Sequence, residues 1–288
     1  MHPLKSLARQ LLSLLIVALG VAGLWGGSVA AEINLKFGTY AADKPTETVK
    51  KYRPFLVFLE NQLSNELGEQ VRIDMVIAKE YETSIQQLAS GEVDFARFGP
   101  ASYVLATDQN PADQIVAMES KNGQKKFRGI IAVHKDSHID SIEDLAGLTF
   151  AFGDELSTIG RYLAQAELLD AGITSEDLHA YEFLGRHDSV GLAVGAGKFA
   201  AGALKESTFK KLVADGVPIR ALAHFDNVTK PWISASTLSP RIFDAMQRIM
   251  LSSENEEIVR RVAKNGFLLG SDVDYQDIRQ AMKKSTAF

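Results

Sequence analysis

The chain has 288 residues, of which 46% are hydrophobic and 23% are charged, and its formal net charge at pH 7 is −5. This balance is typical of a globular protein with one large or two medium domains, and the net acidity argues against a nucleic-acid partner. Because the chain has no cysteine, a disulfide-based scaffold, a thiol nucleophile and a lipid-bearing cysteine are all excluded.

The first 31 residues predict a cleaved signal peptide. Two basic residues, Lys5 and Arg9, precede an uncharged apolar run at residues 11–25, and small residues follow at 26–31. This order is typical of export signals, so we predict that residues 1–31 are removed and that the mature protein is periplasmic. Because the apolar run is at the low edge of the length that spans a bilayer, an uncleaved membrane anchor is the alternative. The small residues at the end of the segment favour cleavage.

Beyond residue 31, apolar positions follow either a period of two or helical spacing. Strands are predicted at residues 33–39, 71–77, 93–98, 115–119, 127–133, 148–152, 181–184, 199–204 and 219–225. Helices are predicted at residues 46–67, 81–89, 99–106, 141–145, 157–171, 188–196, 206–214, 241–251, 254–264 and 275–284. After residue 239 the pattern predicts helices only. Pro54 falls inside the first helical pattern and predicts a kink or two separate helices.

Strands that alternate with helices predict an α/β fold with mostly parallel sheets covered on both faces. The number of elements indicates two such units, so we predict two lobes. Residues 32–130 and 226–288 would form lobe one, and residues 131–225 would form lobe two, inserted into it. The two chain crossings, near residues 128–134 and 224–232, would form a hinge. Ligands in such folds bind at the carboxyl ends of strands, in the cleft.

Three turns between a strand and a helix carry small or hydroxyl-bearing residues, at 99–102, 157–160 and 185–189. A helix N-terminus offers unpaired N–H groups and a partial positive charge, which together favour an anion. Taken alone, Ser157 or Thr158 is most simply a helix cap. Three such turns in one chain predict an anion site to which several helix N-termini contribute.

No pattern in the sequence indicates catalysis or a bound metal. Residues 191–198 faintly resemble a phosphate loop, but the spacing is one residue too long and Phe199 stands where a hydroxyl would bind magnesium. His134 and His138 are predicted as loop histidines rather than metal ligands. We therefore predict no catalytic residue, no metal and no cofactor.

Several segments, taken together, resemble the phosphonate, phosphite and phosphate solute-binding proteins of ATP-driven importers. These belong to the type II group of the two-lobed periplasmic binding protein superfamily. The matching segments are Gly-Glu-Val-Asp-Phe-Ala at 91–96, Phe-Gly-Pro-Ala-Ser-Tyr-Val at 98–104, Asp-Leu-Ala-Gly at 144–147, Phe-Ala-Phe-Gly-Asp-Glu at 150–155, Ser-Thr-Ile-Gly at 157–160, Gly-Arg-His-Asp at 185–188 and Lys-Pro-Trp at 230–232. They extend over nearly all of the predicted mature chain.

The resemblance implies which residues bind the ligand. Tyr40 and Tyr103 resemble the tyrosines of lobe one that contact the ligand, and Ser157, Thr158 and His187 resemble the oxyanion donors of lobe two. Convergence of the three turns would add Ser102 to this set.

Two departures from the family pattern put the ligand's identity in question. Ile159 stands where the family usually has a serine, and Ala200 stands where it usually has an aspartate. Glu206 lies near the position at which aminophosphonate binders hold the ligand amine, whereas the neighbouring Lys205 would favour a more anionic ligand.

The predicted function is therefore binding rather than catalysis. The protein would capture a small tetrahedral oxyanion between its lobes and deliver it, as a monomer, to an ABC permease in the inner membrane. Two alternatives stay open at this point. One is a ligand-sensing subunit that signals to a membrane kinase or cyclase, and the other is a small-molecule hydrolase or transferase on the same fold.

Overall fold

The structure is a computed structural model that describes residues 32–42, 44–111, 113–253 and 256–288. The predicted signal peptide lies outside these residues, so its cleavage stays a prediction. No helix in the described ranges is long and apolar enough to cross a bilayer. Residues Ile33–Phe288 form one compact unit, built from strands and helices.

Strands in the described ranges follow the predicted order, with two additions near the C-terminus. They are β1 (Glu32–Tyr40), β2 (Gln70–Ala78), β3 (Phe95–Arg97), β4 (Gln114–Glu119), β5 (Lys126–His134), β6 (Thr149–Phe152), β7 (Ala180–Phe183), β8 (Ala201–Lys205), β9 (Ile219–Val228), β10 (Pro231–Ser234) and β11 (Phe267–Leu268). In β1, Leu35 and Phe37 are buried while Lys36 between them is exposed, as the two-residue period of a strand requires. The expectation of helices only after residue 239 is wrong, because β11 pairs with β4.

Helices in the described ranges lie close to their predicted positions. They are α1 (Pro45–Leu67), α2 (Tyr81–Ala89), α3 (Pro100–Gln109), α4 (Ala164–Asp170), α5 (His187–Gly195), α6 (Glu206–Ala214), α7 (Pro240–Ser252), α8 (Glu257–Val262) and α9 (Gln276–Lys284). α1 is one continuous helix that contains Pro54, and it ends at Gly68, whose φ of 69° suits glycine. The predicted helix at 141–145 is only a 3₁₀ turn, Glu143–Leu145.

The strands form two sheets, each made mostly from a continuous part of the chain. The first has the order β11-β4-β10-β3-β1-β2, and the second has the order β7-β6-β8-β5-β9. β1 is parallel to β3, and β6 is parallel to β7 and β8. β10 is antiparallel to β3 and β4, and β5 is antiparallel to β8 and β9.

The two-lobed α/β class is thus confirmed, but the sheets are mixed rather than mostly parallel. The antiparallel strands are chiefly those next to the places where the chain passes between sheets, at residues 120–125 and 229–230. Both connections join strands of different sheets, β4 to β5 and β9 to β10. Residues 128–134, predicted as the first crossing, lie within β5 of the second sheet. The lobe boundaries at residues 131 and 225 stay a prediction.

Each sheet has its own apolar core. In the first, Trp232 on β10 is fully buried and stacks on Phe37 at 5.0 Å between ring centroids, with Phe55 of α1 edge-on at 5.1 Å. In the second, Phe150 and Phe152 of β6 are fully buried and 4.6 Å apart. The described buried residues form four apolar clusters, and one of them joins Tyr162 to residues of the first half such as Tyr40 and Tyr103.

The C-terminus provides a further link between the two halves. Tyr275, just before α9, packs its ring on Tyr103 of α3 at 4.5 Å. At the other end, the Phe288 ring packs edge-on against Phe152 at 5.5 Å, and Lys284 forms an ion pair with Asp170 of α4. α9 therefore spans from the first sheet's helices to the core of the second sheet.

Candidate functional site

A narrow cleft lies between the two sheets and has a volume of ≈ 20 Å³. Its lining residues are Tyr40, Ala42, Tyr81, Gly99, Pro100, Phe127, Ser157, Thr158, Ile159, His187, Lys205, Asn227 and Lys230. Four strands with parallel partners, β1, β3, β6 and β8, end at or just before lining residues. The cleft is therefore at the carboxyl ends of strands, where α/β folds bind their ligands.

Tyr40, the last residue of β1, supplies the hydroxyl on the first sheet's side. Its oxygen accepts a hydrogen bond from the Gly99 N–H at 2.6 Å and lies 3.0 Å from the Ser102 hydroxyl. Its ring stacks on Tyr81 at 3.5 Å between centroids. Burial raises the pKa of Tyr40 to about 12. The phenol therefore keeps its proton at neutral pH and can donate a hydrogen bond.

The turn after β6 supplies the hydroxyls on the second sheet's side. Ser157 caps the following segment, and its Oγ accepts a hydrogen bond from the Gly160 N–H at 3.0 Å. The next six residues, Thr158–Leu163, form a π-helical turn instead of the predicted α-helix. Gly160 packs against Gly153, and a Cβ on Gly160 would lie 2.8 Å from the Gly153 Cα. Only glycine permits this close approach, which holds the turn against the end of β6.

Two hydrogen bonds connect the two sides of the cleft directly. The Thr158 Oγ1 accepts from the Ala101 N–H at 2.8 Å, at the N-terminus of α3. The His187 N–H, at the start of α5, donates to the Ala42 carbonyl at 3.3 Å. Both contacts join residues of different sheets, so the cleft is closed in this conformation.

Two lysines, Lys205 and Lys230, line the cleft as well, and both lie outside the helices of the described chain. Lys205 ends β8, and Lys230 lies on the second connection between the sheets. The Lys230 ammonium is 5.6 Å from the centroid of the Phe127 ring. Burial, together with the charges of Arg97 and Lys205, holds the pKa of Lys230 well below its ordinary value.

Asn227 on β9 completes the polar lining. It is 3% exposed, and neither its amide nitrogen nor its amide oxygen has a hydrogen-bond partner among the described residues. Buried polar groups are normally paired, so this amide is available to form a hydrogen bond with a ligand. Within the described residues, no group of three His, Asp or Glu side chains is arranged to hold a metal ion.

The structure brings four of the seven predicted ligand-binding residues to the cleft lining: Tyr40, Ser157, Thr158 and His187. The other three, Ser102, Tyr103 and Glu206, are not among the lining residues. Ser102 is fully buried behind Tyr40, to whose hydroxyl it is hydrogen-bonded. Its contribution is to orient Tyr40, rather than to contact a ligand.

Tyr103 turns away from the cleft. Its hydroxyl donates to the Asp272 carboxylate at 2.9 Å, and Tyr275 covers its ring. The reason is its position on α3, which directs it toward the C-terminal segment. Tyr81, at the start of α2, takes the place beside Tyr40 instead.

Glu206 forms ion pairs with three cationic side chains that do not line the cleft. Its Oε1 lies 3.1 Å from Arg128 and 2.9 Å from Lys210, and its Oε2 lies 3.2 Å from Lys121. Although burial acts to raise it, hydrogen bonds from Lys210 and Lys121 lower the pKa of Glu206 to about 2. The carboxylate is ionised and already neutralised, and the neighbouring Lys205 lines the cleft in its place.

The sequence interpretation missed five lining residues: Ala42, Tyr81, Phe127, Asn227 and Lys230. Asn227 was missed because β9 was predicted to end at residue 225, whereas it pairs with β5 as far as Val228. The continued strand brings Asn227 and the following connection to the cleft. The Lys-Pro-Trp segment was recognised at 230–232, yet nothing local to it indicates where its lysine points.

Comparison with known proteins identifies the family. The family model described as ABC transporter, phosphonate, periplasmic substrate-binding protein matches residues 37–275. The chain belongs to this family. A probable ABC transporter phosphite binding protein from Prochlorococcus marinus is 28% identical over 160 residues, which are 52% of this chain and 53% of that protein. A phosphate-import protein from Mycolicibacterium smegmatis is 24% identical over 256 residues, covering 83% of this chain and 76% of that protein.

Among solved structures, a Prochlorococcus marinus protein in complex with methylphosphonate has the same fold, with a TM-score of 0.78 and 20% identity. The match covers 88% of this chain and 99% of that one. The first phosphonate-binding-family relative above is matched over only about half of its length. Family and fold are therefore established for nearly the whole described chain.

Proposed function

We propose that this protein is the periplasmic receptor of an ABC importer and that it captures a small tetrahedral oxyanion in the central cleft. The observation that carries the proposal is the convergence of Tyr40, Ser157, Thr158 and His187 on one cavity. A tetrahedral oxyanion has several acceptor oxygens in different directions. Hydroxyls and helix N-termini from two sides match that geometry.

The names of similar proteins support the same ligand class. Phosphite, phosphate and methylphosphonate, named for the three proteins above, are all tetrahedral phosphorus oxyanions. At these degrees of identity the shared chemistry, rather than any one compound, is what transfers to this chain.

We further propose that the ligand acts as a latch between the two lobes. The hydrogen bonds from Ala101 to Thr158 and from His187 to Ala42 join opposite sides, and opening would break both. An anion held by donors from both sides would favour the closed form, and this form would be presented to the permease. The ligand leaves chemically unchanged, and the receptor acts as a monomer after export.

Thr158→Ala tests the site. The substitution removes a hydroxyl that lies at the meeting point of both sides, and losing one hydrogen bond to a charged ligand costs about 1.5–3 kcal/mol. We expect the Kd for phosphate or methylphosphonate, measured by calorimetry, to rise roughly tenfold to a hundredfold. ³¹P NMR of the recovered ligand should show no conversion.

Thr174→Ala is the matched control, because Thr174 is also a capping threonine but lies away from the cleft, at the Ser175–Asp177 turn. Its affinity should equal that of the wild type. If Thr158→Ala folds and binds as tightly as the wild type, the cleft is not the site. If no tetrahedral oxyanion binds the wild type, the proposed ligand class is wrong.

The proposed export is tested at the N-terminus of the mature protein. Mass spectrometry of periplasmic material should give a first residue near Ala31 or Glu32. Protein that retains Met1 and sediments with the membrane would establish the anchor instead.

A further inference from the structure

We propose that Lys205 and Lys230 make the cleft selective for a doubly charged oxyanion that carries no amine group. The inference rests on the proposed function and narrows it to a ligand charge. It excludes zwitterionic aminophosphonates from the preferred ligands, although their oxyanion group is the same.

The first support is the charge of the lining. Lys205 and Lys230 reach the cleft from different elements, β8 and the second connection, and they lie close enough to influence one another electrostatically. No aspartate or glutamate side chain lines the cleft in the described part of the chain. An oxyanion with two negative charges would stabilise the protonated form of Lys230, which burial disfavours, and would face Lys205 as well.

Lys230 has no carboxylate partner of its own. Within the described residues it forms no ion pair, and its ammonium lies over the Phe127 ring. The nearby acid Glu119 is engaged by Arg97, with N–O distances of 2.7 and 3.0 Å. A ligand anion would therefore supply the countercharge that the protein does not.

The second support is the position of Glu206. Glu206 directly follows the lining residue Lys205, but its two carboxylate oxygens are held by Arg128, Lys210 and Lys121. Releasing Glu206 toward the cleft would leave three cations without their shared countercharge. The carboxylate is therefore withdrawn from ligand recognition.

The rest of the lining offers little to an ammonium group. Ile159 and Phe127 are apolar, and Asn227 has a single amide oxygen that can accept a hydrogen bond. An ammonium has three N–H donors and would lie beside two lysines. Repulsion from the two lysines, and ammonium N–H groups left without acceptors, would therefore weaken the binding of a ligand that carries an amine.

A ligand panel tests the inference on the wild-type protein. Calorimetry at pH 8 would compare inorganic phosphate, methylphosphonate, 2-aminoethylphosphonate and sulfate. We expect phosphate or methylphosphonate to bind at least tenfold to a hundredfold more tightly than 2-aminoethylphosphonate, on the order of one or two unmade charged hydrogen bonds. Comparing phosphate with methylphosphonate shows whether the site prefers a fourth oxygen or an apolar methyl group on the phosphorus.

Variants test the two lysines. Lys205→Met and Lys230→Met should each weaken binding of the preferred dianion about tenfold to a hundredfold. Lys205→Glu should go further and shift preference toward 2-aminoethylphosphonate, because it places a carboxylate in the cleft. Lys198→Met, at an exposed position on the turn before β8, is the matched control and should bind as the wild type does.

The outcomes separate the inference from the proposed function. Tighter binding of 2-aminoethylphosphonate than of either amine-free dianion overturns the inference while the oxyanion receptor stands. Folded Lys205→Met and Lys230→Met proteins with wild-type affinity for the dianion overturn it as well. Absence of binding across the whole panel overturns both. Should a lysine variant fail to fold, the wild-type panel still decides.

Discussion

The geometry of the candidate site depends on a single residue, Gly160. Its backbone contact with Gly153 sets the turn in which Ser157 and Thr158 point to the cleft, and a Cβ would lie 2.8 Å from Gly153 Cα and 2.9 Å from the Ser157 Oγ. Because Gly153 opposes this Cβ with backbone atoms, relief of the clash requires the turn itself to shift. Misplacement of hydroxyl donors by even about 1 Å is enough to lose much of their effect.

Gly160→Ala should therefore weaken ligand binding by at least about tenfold, and overpacking should lower the free energy of unfolding by about 1–3 kcal/mol. Gly172→Ala provides the comparison, because a Cβ there meets no atom within 4 Å, although its φ is +77°. We expect this variant to lose stability but to keep wild-type affinity. Calorimetry and chemical denaturation measure the two effects separately. Unchanged affinity in Gly160→Ala would show that the turn has no part in binding.

At the scale of elements, Glu206 joins α6 to β5 and to the first connection between the sheets. Its partners Lys210, Arg128 and Lys121 come from those three places. The carboxylate is 5% exposed, and its pKa of about 2 lies below the value of about 4.3 for glutamate in an unfolded chain. A lowered pKa in the folded state means that the ionised form stabilises the fold.

The sign of this effect fixes the pH window. The stabilisation is complete above pH ~4.3 and is lost as the pH falls from there toward 2, because the unfolded chain binds the proton first. Glu206→Gln should lower the free energy of unfolding at pH 7 by about 2 kcal/mol and flatten its fall in that window. Glu257→Gln, in an exposed pair with Arg261, should follow the wild-type curve. Identical acid unfolding of Glu206→Gln and wild type would contradict this role.

At the scale of the whole molecule, the proposed latch predicts motion between the lobes. Glu47 of α1 and Lys211 of α6 lie on opposite sides and are 3.5 Å apart at their charged ends in the closed form. The chain has no native cysteine, so spin labels can be attached at Glu47→Cys and Lys211→Cys without background. Ligand should shorten and narrow the distance distribution between them, measured by pulsed electron resonance.

A second labelled pair controls for local effects. Glu66 and Arg248 form an ion pair between α1 and α7, both on the first sheet, and labels at Glu66→Cys and Arg248→Cys should keep one distance with and without ligand. A Glu47–Lys211 distance that ignores saturating ligand would contradict closure. That result would leave the proposed ligand binding standing, because affinity is measured separately.

Local chemistry was sufficient to predict many elements of this fold. The helices Tyr81–Ala89 and Glu206–Ala214 have their predicted bounds, because helical periodicity and the residues that end a helix are encoded within a few positions. The same holds for Ser157, whose capping role depends on residues three positions away.

Tertiary structure decided what depends on partners distant in sequence. Three features depend on such partners: the antiparallel pairing of β5 with β8 and β9, the burial of Trp232 on β10, a strand that the local pattern did not predict, and the turn of Tyr103 toward Asp272. Residue type and period determine that a segment is a strand or a helix and which of its faces is buried. Which neighbour a segment meets is set only when the sheets and their connections pack together, and this decides that Lys205 and Lys230, rather than Glu206, line the cleft.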